Sequence, residues 1–305
     1  MEITNSVRTP TFLVAGVAKC GTTSLYYYMT QHPEIEIPKK ETFYFIRDFY
    51  RTQTSNVNGR RNPEQLIMTE EQYDSFYAKT KSKAIGEVST CYFHFPEMAI
   101  PEIKNKLGDL PVIVILREPV ERVWSGYKHF ERLNKETLPL EEALASEADR
   151  KKNLWDFMWY YTELSFYAKQ AERWKSEFKN ILFILNEDLE KEPVKTMQEI
   201  FRFIGVDDRF VPNTSTRYNI SDPQTHNFWF RAFFANQSLK RIIRPLVDKI
   251  MNEETRIKII HKLRRRNTAA TPKLDPLIRE ALRKKYTSDI AALEIIIGKD
   301  LSKWK

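Results

Sequence analysis

Gly16-Val17-Ala18-Lys19-Cys20-Gly21-Thr22-Thr23-Ser24-Leu25 follows an apolar run, Thr11 to Ala15, and opens a helix-like run, Thr22 to Thr30. Strand, glycine-bounded turn and helix in that order gather backbone N–H groups and a helix N-terminus around an anion. A nucleoside triphosphatase needs Gly-Lys-Ser/Thr at the helix start. Here Thr22 follows Gly21, and the lysine, Lys19, stands earlier, on the loop.

A ligand with two separated anionic ends requires a second anion site. Leu110 to Leu116 is a continuous apolar, β-branched run, the mark of a strand covered on both faces. At its carboxyl end stands Arg117-Glu118-Pro119-Val120-Glu121-Arg122-Val123-Trp124-Ser125-Gly126-Tyr127. Pro119 fits the first turn of a helix. Arg117 then sits at the strand tip, and Ser125, about two turns on, returns to the same crevice as a guanidinium-plus-hydroxyl clamp for phosphate.

The strand candidates Thr11 to Ala15, Lys83 to Val88, Val112 to Leu116 and Ile181 to Leu185 alternate with helical patterns. That alternation predicts an α/β fold of three layers, a central parallel sheet flanked by helices, resembling a P-loop protein. Ligands of such sheets lie beyond the carboxyl ends of the strands, where Lys19, Ser89 and Arg117 all fall. Residues 47 to 75 are polar and turn-rich and read as an excursion over the sheet, residues 207 to 226 are irregular, and the rest reads as helices, with Pro276 near the start of the last. Without a Pro/Gly/Ser-rich linker, residues 1–305 are expected to form a single domain.

The two anion motifs together resemble those of sulfotransferases that use 3'-phosphoadenosine 5'-phosphosulfate, on the branch shared by heparan sulfate sulfotransferases and bacterial homologues. The resemblance runs on through Gly86 to Phe93, Phe166 to Trp174, and Lys284-Lys285-Tyr286 to Trp304. It implies that Lys19, Cys20, Gly21, Thr22, Thr23 and Ser24 hold the 5'-phosphosulfate and that Arg117 and Ser125 hold the 3'-phosphate. It also implies that Tyr167 lies near the nucleotide. Glu41, in Pro38-Lys39-Lys40-Glu41-Thr42-Phe43-Tyr44-Phe45, falls where the family places a glutamate before an aromatic pair. The 3-O-sulfotransferases carry lysine, arginine and histidine where this chain has Val88, Thr23 and Phe43, and their late cysteine pair has no counterpart. A different acceptor cleft follows, and heparan sulfate itself is not the expected acceptor.

Sulfuryl transfer depends on positioning and on charge stabilisation at the leaving oxygen, which Lys19 supplies. An acceptor hydroxyl needs a base: Glu41 is the expected one and His94 the rival, while the plainer alternatives are a Glu41 surface pair with Lys39 or Lys40 and a packed His94. Glu87 reads as a hydrogen-bonding support of the strand tip. No metal is expected, because His32, His94, His129, His226 and His261 are scattered and Cys20 and Cys91 have no partners at zinc spacing.

The formal charge of +8 is largely local: residues 239–266 hold ten Lys/Arg against three Asp/Glu on an amphipathic pattern that follows the aromatic run Phe228 to Phe234. This reads as a solvated basic face, with peripheral contact to an anionic polysaccharide or lipid surface as the functional alternative. No nucleic-acid partner is expected. Two cysteines exclude a disulfide-rich scaffold and read as buried reduced thiols. Neither a signal-peptide pattern nor a membrane-length apolar run appears, so the expected location is cytoplasmic.

The reading is therefore a sulfotransferase acting on a hydroxyl, ahead of an amine, of a carbohydrate-containing acceptor: a polysaccharide, glycolipid or glycoside. A nucleotide-dependent kinase is one rival and predicts magnesium dependence. A non-catalytic binder of anionic polymers is the other and predicts salt-dependent polymer binding without a nucleotide effect.

Overall fold

The computed structural model describes residues 8–52, 69–215 and 273–305. Five strands form its centre: β1 Phe12–Gly16, β2 Ile35–Glu36, β3 Ala84–Val88, β4 Val112–Leu116 and β5 Ile181–Leu185. All pair in parallel, in the order β2-β3-β1-β4-β5. Every residue of β1, β3 and β4 is buried. These short, largely apolar runs are covered on both faces, as a parallel sheet demands.

The α-helices among the described residues are α1 Thr22–Met29, α2 Arg47–Thr52, α3 Glu70–Tyr77, α4 Pro96–Leu107, α5 Pro119–Arg132, α6 Leu140–Ala145, α7 Glu147–Lys152, α8 Ala168–Glu177, α9 Asn186–Lys191, α10 Pro193–Phe203 and α11 Pro276–Ile297. Proline opens α4, α5, α10 and α11, where its missing N–H costs nothing. Among the described residues no helix is long and apolar enough to cross a membrane.

The four expected strands are present within a residue of their expected ends. β2 is an addition: with two paired residues just before Pro38, it is too short for an alternation pattern to mark. Thr11, expected in β1, instead brackets its edge, donating its N–H to Ile85 O at 2.7 Å and accepting the Ile85 N–H on Oγ1 at 2.9 Å. The stretch expected as a polar excursion carries helix at both ends, α2 and α3. At the start of α3, Thr69 and Gln72 form a reciprocal capping box. The basic segment 239–266 and the aromatic run before it lie outside the described residues.

The chain order places β1 between β3 and β4. From β1 the chain goes outward to β2, returns to β3, then crosses to β4 on the other side. The crevice beyond the ends of β1, β3 and β4 is the switch point at which open parallel sheets bind ligands. The β1–β4 register shifts between Val14 and Gly16, at the end of β1 that borders the crevice.

Helix α11 returns from the far end of the sequence to pack on α8 and α5. Asp289 on α11 accepts the N–H groups of Tyr167 (2.8 Å) and Ala168 (3.2 Å), capping α8 from another element. Tyr286 donates to the Thr162 carbonyl at 3.0 Å.

Gly86 shows how tightly the sheet is packed. A Cβ there would lie 2.4 Å from Phe12 Cζ and 2.8 Å from Ile37 Cγ1. Gly86→Ala is therefore expected to destabilise the protein by about 1–3 kcal/mol through overpacking, seen as a lower urea midpoint at unchanged slope. An unchanged midpoint would show that Phe12 and Ile37 move aside freely.

Candidate active site

A cavity of about 470 Å³ opens at the switch point. Its walls include Lys19, Gly21, Thr22, Thr23 and Ser24 from the loop and α1, Arg117 and Ser125 from the β4 tip and α5, and Glu41 from the segment after β2. Three stretches found separately in the sequence thus face one space.

The loop takes its shape from two left-handed residues, Lys19 (φ 73°) and Gly21 (φ 92°). Gly21 is the N-cap of α1 and provides no side-chain cap, so the first-turn N–H groups of α1 are turned to the cavity without a competing side chain. Only glycine fits, because a Cβ there would meet Asn186 Oδ1 at 2.3 Å. From below, Arg122, with no solvent exposure, donates from Nε to the Ala18 carbonyl (3.3 Å) and from Nη1 to the Tyr161 carbonyl (2.9 Å).

This is a strongly positive place. Burial first, then the guanidiniums of Arg132, Arg122 and Arg117, hold the Lys19 ammonium down to about 7. Burial, with Lys19, Arg132 and Lys135, likewise holds His129 down to about 3, so its imidazole is neutral at physiological pH. His129 lines the cavity and lies four residues after Ser125, on the same face of α5.

Arg117 is fastened from behind. Its Nη1 donates to the Lys19 carbonyl at 3.4 Å, and its own carbonyl accepts from the Tyr167 hydroxyl at 3.1 Å. Two residues expected at the nucleotide, Tyr167 and Cys20, stand behind the cavity wall. Tyr167 is fully buried behind the wall, gripping the Arg117 backbone, with the Cys20 sulfur 3.9 Å from its hydroxyl. Cys20 points the same way, and its N–H is taken by the Val17 carbonyl at 3.1 Å. Neither lines the cavity; both support residues that do. Burial pushes the Cys20 thiol up to about 12, which leaves it protonated and unreactive.

The wall carrying Glu41 hangs on Glu87. This carboxylate, with no solvent exposure at the end of β3, accepts hydrogen bonds from four hydroxyls: Tyr77 (2.5 Å), Tyr92 (2.7 Å), Ser89 (3.1 Å) and Thr42. Ser89 Oγ in turn accepts the N–H of Thr42 (3.1 Å) and Phe43 (3.4 Å). Glu41, at φ 37°, is thereby turned out to the cavity while Thr42 is pulled inward. Lys40 reaches across to Thr23 Oγ1 at 2.9 Å, joining this wall to α1. His94 does not line the cavity; its ring lies among Phe93 and Tyr167, where burial and Arg122 hold its pKa far down.

Sequence reasoning missed His129, Asn186, Glu190, Phe157 and Met158 as lining residues. Asn186 follows β5 directly, so the strand-end rule that found Arg117 applies to it equally. Its Nδ2 donates to Glu190 Oε1 at 3.0 Å. Phe157 and Met158 carry no local signal, because they reach the cavity only through a turn between distant helices.

Residues 9–231 match the family model described as a sulfotransferase domain. The chain is 27% identical over 235 residues to the bifunctional heparan sulfate N-deacetylase/N-sulfotransferase 4 of Mus musculus, covering 72% of this chain and 24% of that protein. It is 29% identical over 210 residues to enzyme 1 of the same name from Homo sapiens, covering 65% of this chain and 22% of that one. It thus spans about a quarter of the length of these curated relatives. A crystal structure of a sulfotransferase from Alicyclobacillus acidocaldarius superposes with TM-score 0.74 at 28% identity, covering 97% of this chain and 98% of that one.

The depressed Lys19 predicts a pH dependence. An anion placed at Lys19 raises its pKa from about 7, so above pH 7 binding takes up a proton and affinity falls with rising pH, by up to about tenfold per unit. Phosphate oxygens of the ligand are already ionised there. Calorimetry with 3'-phosphoadenosine 5'-phosphate between pH 6.5 and 9, in buffers of differing ionisation enthalpy, should show this slope, and Lys19→Arg should abolish it. A flat profile for the native protein would refute the assignment.

Proposed function

We propose, for a chain that belongs to the sulfotransferase domain family, that it moves the sulfuryl group of 3'-phosphoadenosine 5'-phosphosulfate to a hydroxyl, ahead of an amine, of a carbohydrate-containing acceptor. The observation that carries this reading is the meeting of Lys19, Glu41 and the Arg117–Ser125 pair on the walls of one cavity. A two-ended anion suits a basic loop at one end and a guanidinium with a hydroxyl at the other. A pocket of this size at a sheet switch point suits a nucleotide.

In this reading the α1 N-terminus and the hydroxyls of Thr22, Thr23 and Ser24 hold the 5' end, while Arg117 and Ser125 hold the 3'-phosphate. The protonated Lys19 ammonium faces the oxygen that leaves with the 5'-phosphate and stabilises the charge that develops there. Glu41 takes the proton of the acceptor hydroxyl as its oxygen bonds to sulfur and the sulfur–oxygen bond to the phosphate breaks. His129, neutral beside Lys19, adds a polar contact without adding charge.

The kinase reading is disfavoured by Thr22 standing where a triphosphate loop has its lysine. Carbohydrate acceptors are favoured by the names of the curated relatives, and the Glu41 wall gives the acceptor a base to approach. A purely binding role would leave that wall, tied down by a buried carboxylate with four hydroxyl partners, without a task.

Two experiments test the proposal. Calorimetry should show that 3'-phosphoadenosine 5'-phosphate binds in preference to ADP and ATP, with or without magnesium; magnesium-dependent preference for ATP would install the kinase reading. In transfer assays over an acceptor panel, Glu41→Gln should lower turnover by roughly 10²–10⁴-fold with nucleotide affinity kept, while His94→Ala keeps turnover. The opposite pattern would make His94 the base.

A further inference from the structure

Glu121, in the first turn of α5, stands between two guanidiniums, one four residues before it and one 158 residues after it. Its Oε1 accepts from Arg279 Nη2 of α11 at 2.6 Å, and its Oε2 lies 3.7 Å from Arg117 Nη2. All three side chains are partly buried, at 24% exposure for Arg117, 34% for Glu121 and 31% for Arg279. The Glu121 N–H donates to Glu118 Oε2 at 2.6 Å, so its backbone is fixed as well.

A carboxylate this close to Arg117 competes with any phosphate for the same guanidinium. Arg279, holding Glu121 by the shorter contact, counters that competition: the triad carries a net charge of +1 with Arg279 and none without it. Helix α11 also reaches Arg117 by a second route. Asp289 holds the Tyr167 N–H at 2.8 Å, and the Tyr167 hydroxyl holds the Arg117 carbonyl at 3.1 Å.

We propose that Arg279 is a positioning residue that draws Glu121 away from Arg117, and that α11 thereby sets the affinity and selectivity of the site for a 3'-phosphate. The proposal rests on the reading of Arg117 as the 3'-phosphate clamp. Arg279 itself touches no substrate; it acts through Glu121.

The test compares binding of 3'-phosphoadenosine 5'-phosphosulfate with that of adenosine 5'-phosphosulfate, which lacks only the 3'-phosphate. The proteins are the native chain, Arg279→Ala, Arg279→Lys, Glu121→Gln, the double variant Glu121→Gln/Arg279→Ala, and Arg117→Ala. Arg279→Ala should weaken binding of the 3'-phosphorylated ligand by about three- to fivefold, the scale of a partly exposed ion pair, and leave the other ligand unchanged. Arg279→Lys should recover much of the loss. In the Glu121→Gln background, Arg279→Ala should change nothing, because no carboxylate remains to close on Arg117.

Equal losses for both ligands, or an undiminished loss in the Glu121→Gln background, would overturn the proposal and leave Arg279 a structural residue. If Arg117→Ala keeps the native preference for the 3'-phosphate, the clamp reading itself falls, and the proposal with it. Loss of that preference in Arg117→Ala together with an inert Arg279→Ala defeats the proposal alone.

Discussion

A guanidinium without solvent exposure lies under the loop that faces the cavity, and the site depends on where it sits. Arg122 ties the Ala18 carbonyl to the Tyr161 carbonyl, which fixes the residue just before the left-handed Lys19. Its charge reaches further than its hydrogen bonds. It helps to hold Lys19 and His94 down, and opposes the effect of burial on Cys20. Burying a charge is costly unless it is compensated, and a fold that keeps one beneath an anion-facing loop holds a permanent positive potential there.

The opposite wall is built on a buried carboxyl group. Glu87, buried at the end of β3, gathers four hydroxyls, and through Ser89 it holds the two peptide N–H groups that follow Glu41. Breaking one member of such a network strands a buried polar group. The buried guanidinium under the loop and the hydroxyl-bonded Glu87 under the Glu41 wall stand at the ends of neighbouring strands, β1 and β3, held in fixed parallel register.

Much of the fold was legible because it is local. Four strands announced themselves as short β-branched runs, and Pro119 and Pro276 marked helix starts that the structure places at Pro119 and Pro276. Lys19 and Arg117 could be placed at the crevice because each comes just after a strand and the ends of parallel strands converge; Ser125, two turns into α5, followed from helical spacing, and Glu41 only from the family resemblance, and all four line the cavity. Tyr167, expected near the nucleotide from the family resemblance, lies behind the cavity wall. It stands at the start of α8 as expected, but burial turns its ring away from the cavity, and no local pattern records which face of a loop residue is covered.

Local stretches of chain encode the strand–loop–helix unit at Gly16 to Leu25, the parallel sheet around it, and the residue types brought to the strand ends. These follow from steric preference and from burial periodicity, both properties of neighbouring residues. Long-range packing alone accounts for β2, for Asn186 in the space Gly21 leaves, for His129 in the field of Lys19, and for Arg279 meeting Glu121 from 158 residues away. Such contacts arise from the order in which strands assemble and from how the last helix packs back onto α5 and α8. That is a balance of burial and charge summed over distant segments, which no local stretch of chain encodes.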